Sequence, residues 1–256
     1  MTDLILFLVG IVVGCMNAVA GGGMLVGFPV MLALGIPAIT ANATSNLIVL
    51  PGNAAAAFGY RKYLRKVPRA YLWLLVPTAL GAIVGTSLLE QTSPARFERM
   101  IPILILFAVL LFAFQPFLHN QLHQHLHGSK RLRKQLKPLF IVGFAMFPLS
   151  IYGGFFGAGF GFIMLAFLGF TRLHDHIHRM NALKCVTTTV LSLTALLSLL
   201  DSGYIDWKHG LIMGAGGIIG SYASARSIQK VSPHVIRIIV IVIGLSAAIF
   251  LGISSL

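Results

Sequence analysis

Two short polar clusters interrupt an otherwise apolar chain. Asn42, Ser45 and Asn46 fall at i, i+3 and i+4, and Asn181, Lys184 and Thr188 at i, i+3 and i+7, so each set shares one helical face. Ser45 and Lys184 both stand three residues after the paired asparagines. Amides, hydroxyls and one ammonium together offer hydrogen-bond donors and a fixed positive charge, the chemistry of a small-anion site. Two glycine clusters add to it: Gly21, Gly22 and Gly23 just after Asn17, then Gly153, Gly154, Gly157, Gly159 and Gly161. Glycine within an apolar run lets the backbone leave helical geometry. A half-helix restarting there presents unpaired N–H groups and the positive end of its dipole, a ready anion site. Close helix packing is the other use of such glycines; their recurrence in matching places of two halves favours the site.

Lys184 has two competing readings. A charge inside an apolar span usually faces a cavity or a partner, yet Lys184 lies five residues beyond Arg179, near enough to a helix start to snorkel outward. The histidines divide similarly. His119, His123 and His127 share a helical spacing, while His174, His176 and His178 alternate. Imidazoles so placed can bind zinc, nickel or copper, but a solvated loop accounts for them better, and no metal or cofactor is expected. No span pairs a nucleophilic Ser or Cys with His, and Glu90, Glu98, Asp175, Asp201 and Asp206 all sit at span ends, so no catalytic residues and no enzyme are expected.

The elements that must position these residues follow from composition. Of 256 residues 57% are hydrophobic and 10% charged, against about 25% charged in a soluble domain. No Lys, Arg, Asp or Glu occurs between Asp3 and Arg61. A bilayer crossing takes about 20 apolar residues, so the chain reads as an all-α polytopic membrane protein. The formal charge of +13 sits mostly between spans, where topology explains it better than nucleic acid does. Cys15 and Cys185 both lie in apolar segments and make no disulfide framework. The Met-Thr-Asp start lacks a basic n-region and a cleavage site, and reads as a retained first helix.

Eight spans are predicted, at 4–34, 41–59, 70–89, 96–117, 138–170, 180–200, 208–227 and 234–253. The first and fifth exceed the length of one straight crossing and carry the glycines, so both are predicted to break there. Ala20–Gly23 aligns with Gly154–Gly157, and Asn42-Ala43 with Asn181-Ala182, which gives a four-span repeat over 1–117, a basic His-rich connection over 118–137 and a second repeat over 138–256. Four spans per half imply a parallel repeat. Lys and Arg in alternating loops then divide eleven against six, which places the 118–137 connection and both termini in the cytoplasm.

Asn17-Ala-Val-Ala-Gly-Gly-Gly23, Phe28-Pro29, Leu34-Gly35-Ile36-Pro37, Ala41-Asn42-Ala43-Thr44-Ser45 and Pro51-Gly52 resemble the first repeat of the TauE/SafE family of bacterial membrane transporters. Gly153 to Gly159, Asn181-Ala182-Leu183-Lys184, Gly203-Tyr204-Ile205-Asp206-Trp207 and Gly214 to Gly220 resemble its second. The resemblance implies a multi-pass protein of the bacterial inner membrane that exports sulfite, sulfonates or related anions. The expected partners are a small anion and the lipid bilayer, and a homo-oligomer is compatible with all of this. The expected substrate-binding set is Asn17, Gly21, Gly22, Gly23, Asn42, Ser45, Asn46, Gly157, Gly159, Asn181, Lys184 and Thr188. A divalent-metal permease using the histidine loops and a non-transporting scaffold or sensor are the rival readings.

Overall fold

The computed structural model describes residues 2–127, 138–169, 177–227, 242 and 245–246, and every regular element among them is helical. The elements are α1 (Thr2–Val19), α2 (Met24–Ala33), α3 (Ala38–Gly59), the short α4 (Arg61–Leu64), a 3-10 turn (Arg69–Leu74) leading into α5 (Leu75–Glu90), α6 (Pro94–His127), α7 (Pro138–Phe155), α8 (Phe160–Gly169), α9 (Ile177–Ser198) and α10 (Trp207–Ser227). Thr2–Val19, Arg69–Glu90 and Ile177–Ser198 are each long and apolar enough to cross a bilayer. Leu4, Leu8 and Val12 on α1, and Leu72, Val76, Leu80 and Val84 around α5, form outward stripes one turn apart. Such stripes on the outside of a folded chain suit lipid as the surrounding solvent.

Both long apolar runs break at their glycines, as the spacing predicts. Gly21 has φ +98° and Gly157 φ +74°, in the left-handed region that glycine enters without steric cost. The structure goes further than an interrupted span, because the chain doubles back at each break. Gly23 and Gly27 both pack on Val13, so α2 returns along α1. The Tyr60 hydroxyl, just past the end of α3, donates to the carbonyl of Ala18 near the end of α1 at 3.3 Å. Hence α1 and α3 point the same way.

The remaining directions follow from contacts. Gly10 packs on Met213, Gly14 on Gly217 and Gly59 on Ala225, so α10 runs with α1 and α3. The short α4 turn reverses the chain into α5, and α7 runs alongside α5, with Gly143 near Leu74 and Gly154 against Ala82. Helix α9 starts where α3 ends, since Ala182 and Cys185 cluster with Ala56 and Tyr60. Its far end leads to Asp206, whose amide donates to Thr44 Oγ1 near the start of α3 at 2.9 Å. Thus α1, α3 and α10 run one way, and α5, α7 and α9 the other.

The internal repeat is present but inverted. Helices α1, α2 and α3 are 18, 10 and 22 residues long, and α7, α8 and α9 are 18, 10 and 22. Equivalent helices α1 and α7, α3 and α9, and α5 and α10 are antiparallel. This corrects the parallel repeat: counting each broken run as one span omits the returning helix, and that extra segment reverses the second half. The equivalence also pairs Gly21 with Gly157, two residues away from the alignment of Ala20–Gly23 with Gly154–Gly157.

One end of the bundle carries Asp3, Glu90, Glu98, Asp201 and Asp206 with Arg96, Arg99 and Lys208; the other carries Arg61, Lys62, Arg65, Lys66, Arg69, Arg179 and Arg226. The N-terminus and the Arg61–Arg69 loop therefore lie at opposite ends, which corrects the assignment of both to one side. At the acidic end Lys208 Nζ meets Asp3 Oδ2 at 3.2 Å, tying α1 to α10, and His209 Nδ1 meets Asp206 Oδ2 at 2.6 Å at the start of α10. Partial burial pushes the Asp206 carboxyl up, but the His209 ring and amide, the His209 charge and the Lys208 amide outweigh it and hold it below its usual range. A carboxyl lowered on folding stabilises above its unfolded pKa and loses that contribution as pH falls through the folded value. Asp206→Asn should therefore melt lower than wild type at neutral pH, with the gap closing below about pH 4, near the unfolded Asp pKa. Melting curves of both proteins across acidic pH check this.

Candidate functional site

The third helix of each half is buried on its polar face. On α3 Asn42, Thr44, Ser45, Asn46 and Asn53 are buried, and on α9 Asn181, Lys184, Thr187, Thr188 and Ser192. Each of these helices clasps the broken helix of the opposite half. Asn42 Nδ2 donates to the carbonyl of Phe155, the last residue of α7, at 2.8 Å. On the equivalent helix, one turn further along, Lys184 Nζ donates to the carbonyls of Asn17 and Ala18, at the end of α1, at 2.6 and 3.1 Å. The carboxyl end of a helix leaves carbonyls without intrahelical partners and carries the negative end of the dipole, so a donor or a cation is stabilising there.

This settles the two readings of Lys184 against the snorkel. Its side chain is 0% exposed, and no carboxylate pairs with it among the described residues. The helix terminus is its partner.

The tips of the two breaks meet. A Cβ added at Gly21 would lie 2.7 Å from the Gly161 carbonyl carbon, and one added at Gly22 would enter the Phe162 ring. Asn17 closes the first turn, its Oδ1 accepting from the Gly23 amide at 2.8 Å. The equivalent residue in the second half is Gly153, which has no side chain to do the same. The amides of Gly22, Gly159 and Gly161 donate to no backbone or side-chain acceptor among the described residues. Gly22 and Gly161 belong to the segments that touch, while Gly159, in the second break, faces Ala108 of α6.

Other expected residues are placed differently. Ser45 Oγ donates to the Asn42 carbonyl at 2.6 Å and Thr188 Oγ1 to the Lys184 carbonyl at 2.9 Å, both along their own helices. Asn46 Nδ2 reaches the Ala43 carbonyl at 3.5 Å. Asn42 and Asn181 are not side by side. Each lies four residues into its helix and the helices are antiparallel, so Asn181 sits level with the Ala56 end of α3, about 21 Å along the axis from Asn42 at 1.5 Å per residue. Asn181 Oδ1 is buried without a hydrogen-bond partner. Phe162, absent from the expected set, covers Gly22; aligning Gly21 with Gly157 in the sequence would have brought the two tips into view.

Not every glycine serves the breaks. Gly10 and Gly14 on α1 meet Met213 and Gly217 backbone, and Gly216 and Gly220 meet Phe7 and Ile11. Those glycines pack α1 on α10, as small residues do in membrane bundles. The side chains of His119, His123, His125 and His127, together with His174, His176 and the connection 128–137, lie outside the described residues. Among the described residues no group of three His, Cys, Asp or Glu side chains is placed to hold a metal.

Comparison with known proteins places the chain among membrane transporters. No solved structure matches the chain significantly. A probable membrane transporter protein of Haemophilus influenzae is 33% identical over 93% of this chain and 89% of its own length. Probable membrane transporter protein ORF9 of Sinorhizobium is 26% identical over 95% and 90%, and YfcA of Escherichia coli K12, also a probable membrane transporter protein, 24% over 93% and 85%. The family model for the sulfite exporter TauE/SafE matches residues 6–251, so the chain belongs to the TauE/SafE family of membrane transporters.

Proposed function

We propose that this transporter exports small sulfur-containing oxyanions, sulfite or sulfonates, across the bacterial inner membrane. The anion binds where the two glycine breaks meet. The observation that carries the reading is the contact between the two breaks, where the Gly22 and Gly161 amides have no acceptor among the described residues, with the buried Lys184 charge behind the first tip. Restarting helices α2 and α8 direct their positive dipole ends there. Asn42 and Lys184 hold the broken ends in place, and Asn17 shapes the first turn. An inverted repeat with discontinuous helices at its centre suits alternating access, in which each half rocks about a common site.

The basic end faces the cytoplasm in this reading, because positive residues stay on the cytoplasmic side. That puts the N-terminus outside. In a background lacking Cys15 and Cys185, Lys66→Cys should be shielded from an impermeant maleimide in intact cells, and Gln91→Cys should react. Reversed labelling would overturn the orientation.

Outward movement needs little coupling. A dianion leaving a cell that is negative inside gains about 4.6 kcal/mol per 100 mV, twice the single-charge value. At about 1.4 kcal/mol per tenfold, that sustains roughly a thousandfold gradient. Efflux of sulfite from preloaded vesicles, driven by an imposed potential and lost in Asn42→Leu, tests the proposal; efflux equal to that of empty vesicles would refute it.

A further inference from the structure

The two clasps come from equivalent helices, yet they use different positions and different chemistry. In one, neutral Asn42 holds the end of α7; in the other, an ammonium holds the end of α1. Both hydrogen bonds of that ammonium go to main-chain carbonyl oxygens. The carbonyls of Asn17 and Ala18 lie 2.6 and 3.1 Å from Nζ. The Tyr60 hydroxyl already spends its proton on Ala18 O. One turn earlier on the same face of α9, Asn181 is 97% buried and its Oδ1 has no donor among the described residues. Carbonyl oxygens at the carboxyl end of a discontinuous membrane helix are the ligand type that holds monovalent coupling ions in transporters. Here a side chain fills that position. Lys184 replaces the residue equivalent to Ser45, a hydroxyl that would leave the position open.

We infer that the Lys184 ammonium occupies a monovalent-cation site formed by the Asn17 and Ala18 carbonyls, which the unpaired Asn181 Oδ1, one turn away, joins once the ammonium is removed, so that this chain carries a tethered cation in place of a coupling Na⁺. Two consequences follow. The wild-type protein has no use for Na⁺ at this place, which agrees with an exporter driven by the membrane potential. Replacing Lys184 by an oxygen-bearing side chain of smaller volume uncovers the site, and Na⁺ then binds the folded protein in its stead. The inference deepens the transport reading by naming what balances the end of α1, but it can be read without any anion substrate, so the two can fail separately.

The test is thermal unfolding of the purified full chain in detergent, in NaCl against choline chloride at equal ionic strength. Wild type should melt at the same temperature in both. Lys184→Ser should melt lower than wild type in choline and gain several degrees in NaCl, with a saturable dependence on concentration, because a ligand that binds only the folded state stabilises by mass action. Lys184→Met, which fills the space without an oxygen, should show no such gain. If Lys184→Ser does not fold in choline, its recovery in NaCl supports the site, and Lys184→Asn is read in the same way. Saturable Na⁺ stabilisation of wild type would overturn the inference. So would folded Ser and Asn variants indifferent to Na⁺, K⁺ and Li⁺, or failure of both variants to fold in any of these salts.

Discussion

Gly21→Ala and Gly22→Ala should each reduce transport at least tenfold and lower the melting temperature, whereas Gly35→Ala should leave transport near the wild-type rate. Gly21 and Gly35 both have positive φ, +98° and +82°, so alanine at either carries a similar backbone cost, about 1–2 kcal/mol. Their surroundings differ. Nothing lies within 4 Å of a Cβ at Gly35, while one at Gly21 meets the Gly161 backbone at 2.7–2.8 Å and one at Gly22 runs into the Phe162 ring. Overpacking of this kind costs about 1–3 kcal/mol more. It also pushes apart the two tips whose amides form the proposed site. The comparison separates backbone strain from tip contact: equal losses at Gly21 and Gly35 would assign the effect to strain and leave the meeting of the breaks without a role. Transport rates at equal protein in the membrane, with melting curves alongside, read both quantities.

Lys184→Met should be more damaging to transport than any other single change on α9. It removes the donor to the Asn17 carbonyl and leaves the Ala18 carbonyl only the Tyr60 hydroxyl, and an unsatisfied buried acceptor costs about 1–3 kcal/mol. The end of α1 also loses the positive charge that opposes its dipole, which is worth up to about 2 kcal/mol in a partly buried setting. Lys184→Arg keeps the charge but presents a planar fork to a position that the fully buried ammonium fills, so it should retain part of the stability and less of the rate. Wild-type melting and wild-type efflux in Lys184→Met would remove the clasp from the account.

The sequence identified the helical class, both breaks and the polar faces of α3 and α9, because each of these is written locally. Glycine clusters inside apolar runs mark where a helix cannot continue, and i, i+3, i+4 spacing marks a face. What lay beyond it was direction. Whether the chain passes through a break or turns back depends on the left-handed geometry of Gly21 and Gly157 and on the seat that Val13 offers to Gly23 and Gly27. No window of hydropathy carries that information. One missed reversal per half converts a parallel repeat into an inverted one, moves the N-terminus across the membrane and places Asn42 and Asn181 toward opposite ends of the bundle. Lys184 shows the same limit. Its distance from Arg179 permits snorkelling, and only the position of the α1 carbonyls, 166 and 167 residues away in sequence, decides against it.

The central claim is that the touching breaks pass a sulfur oxyanion, and sulfite counterflow in proteoliposomes tests it most directly. Vesicles holding the purified wild-type chain and loaded with unlabelled sulfite should accumulate labelled sulfite transiently, with no requirement for Na⁺. The same vesicles made with Gly22→Ala should not. Counterflow in both proteins, or in neither, would contradict the account: the first by moving transport away from the glycine tips, the second by removing sulfite as a substrate.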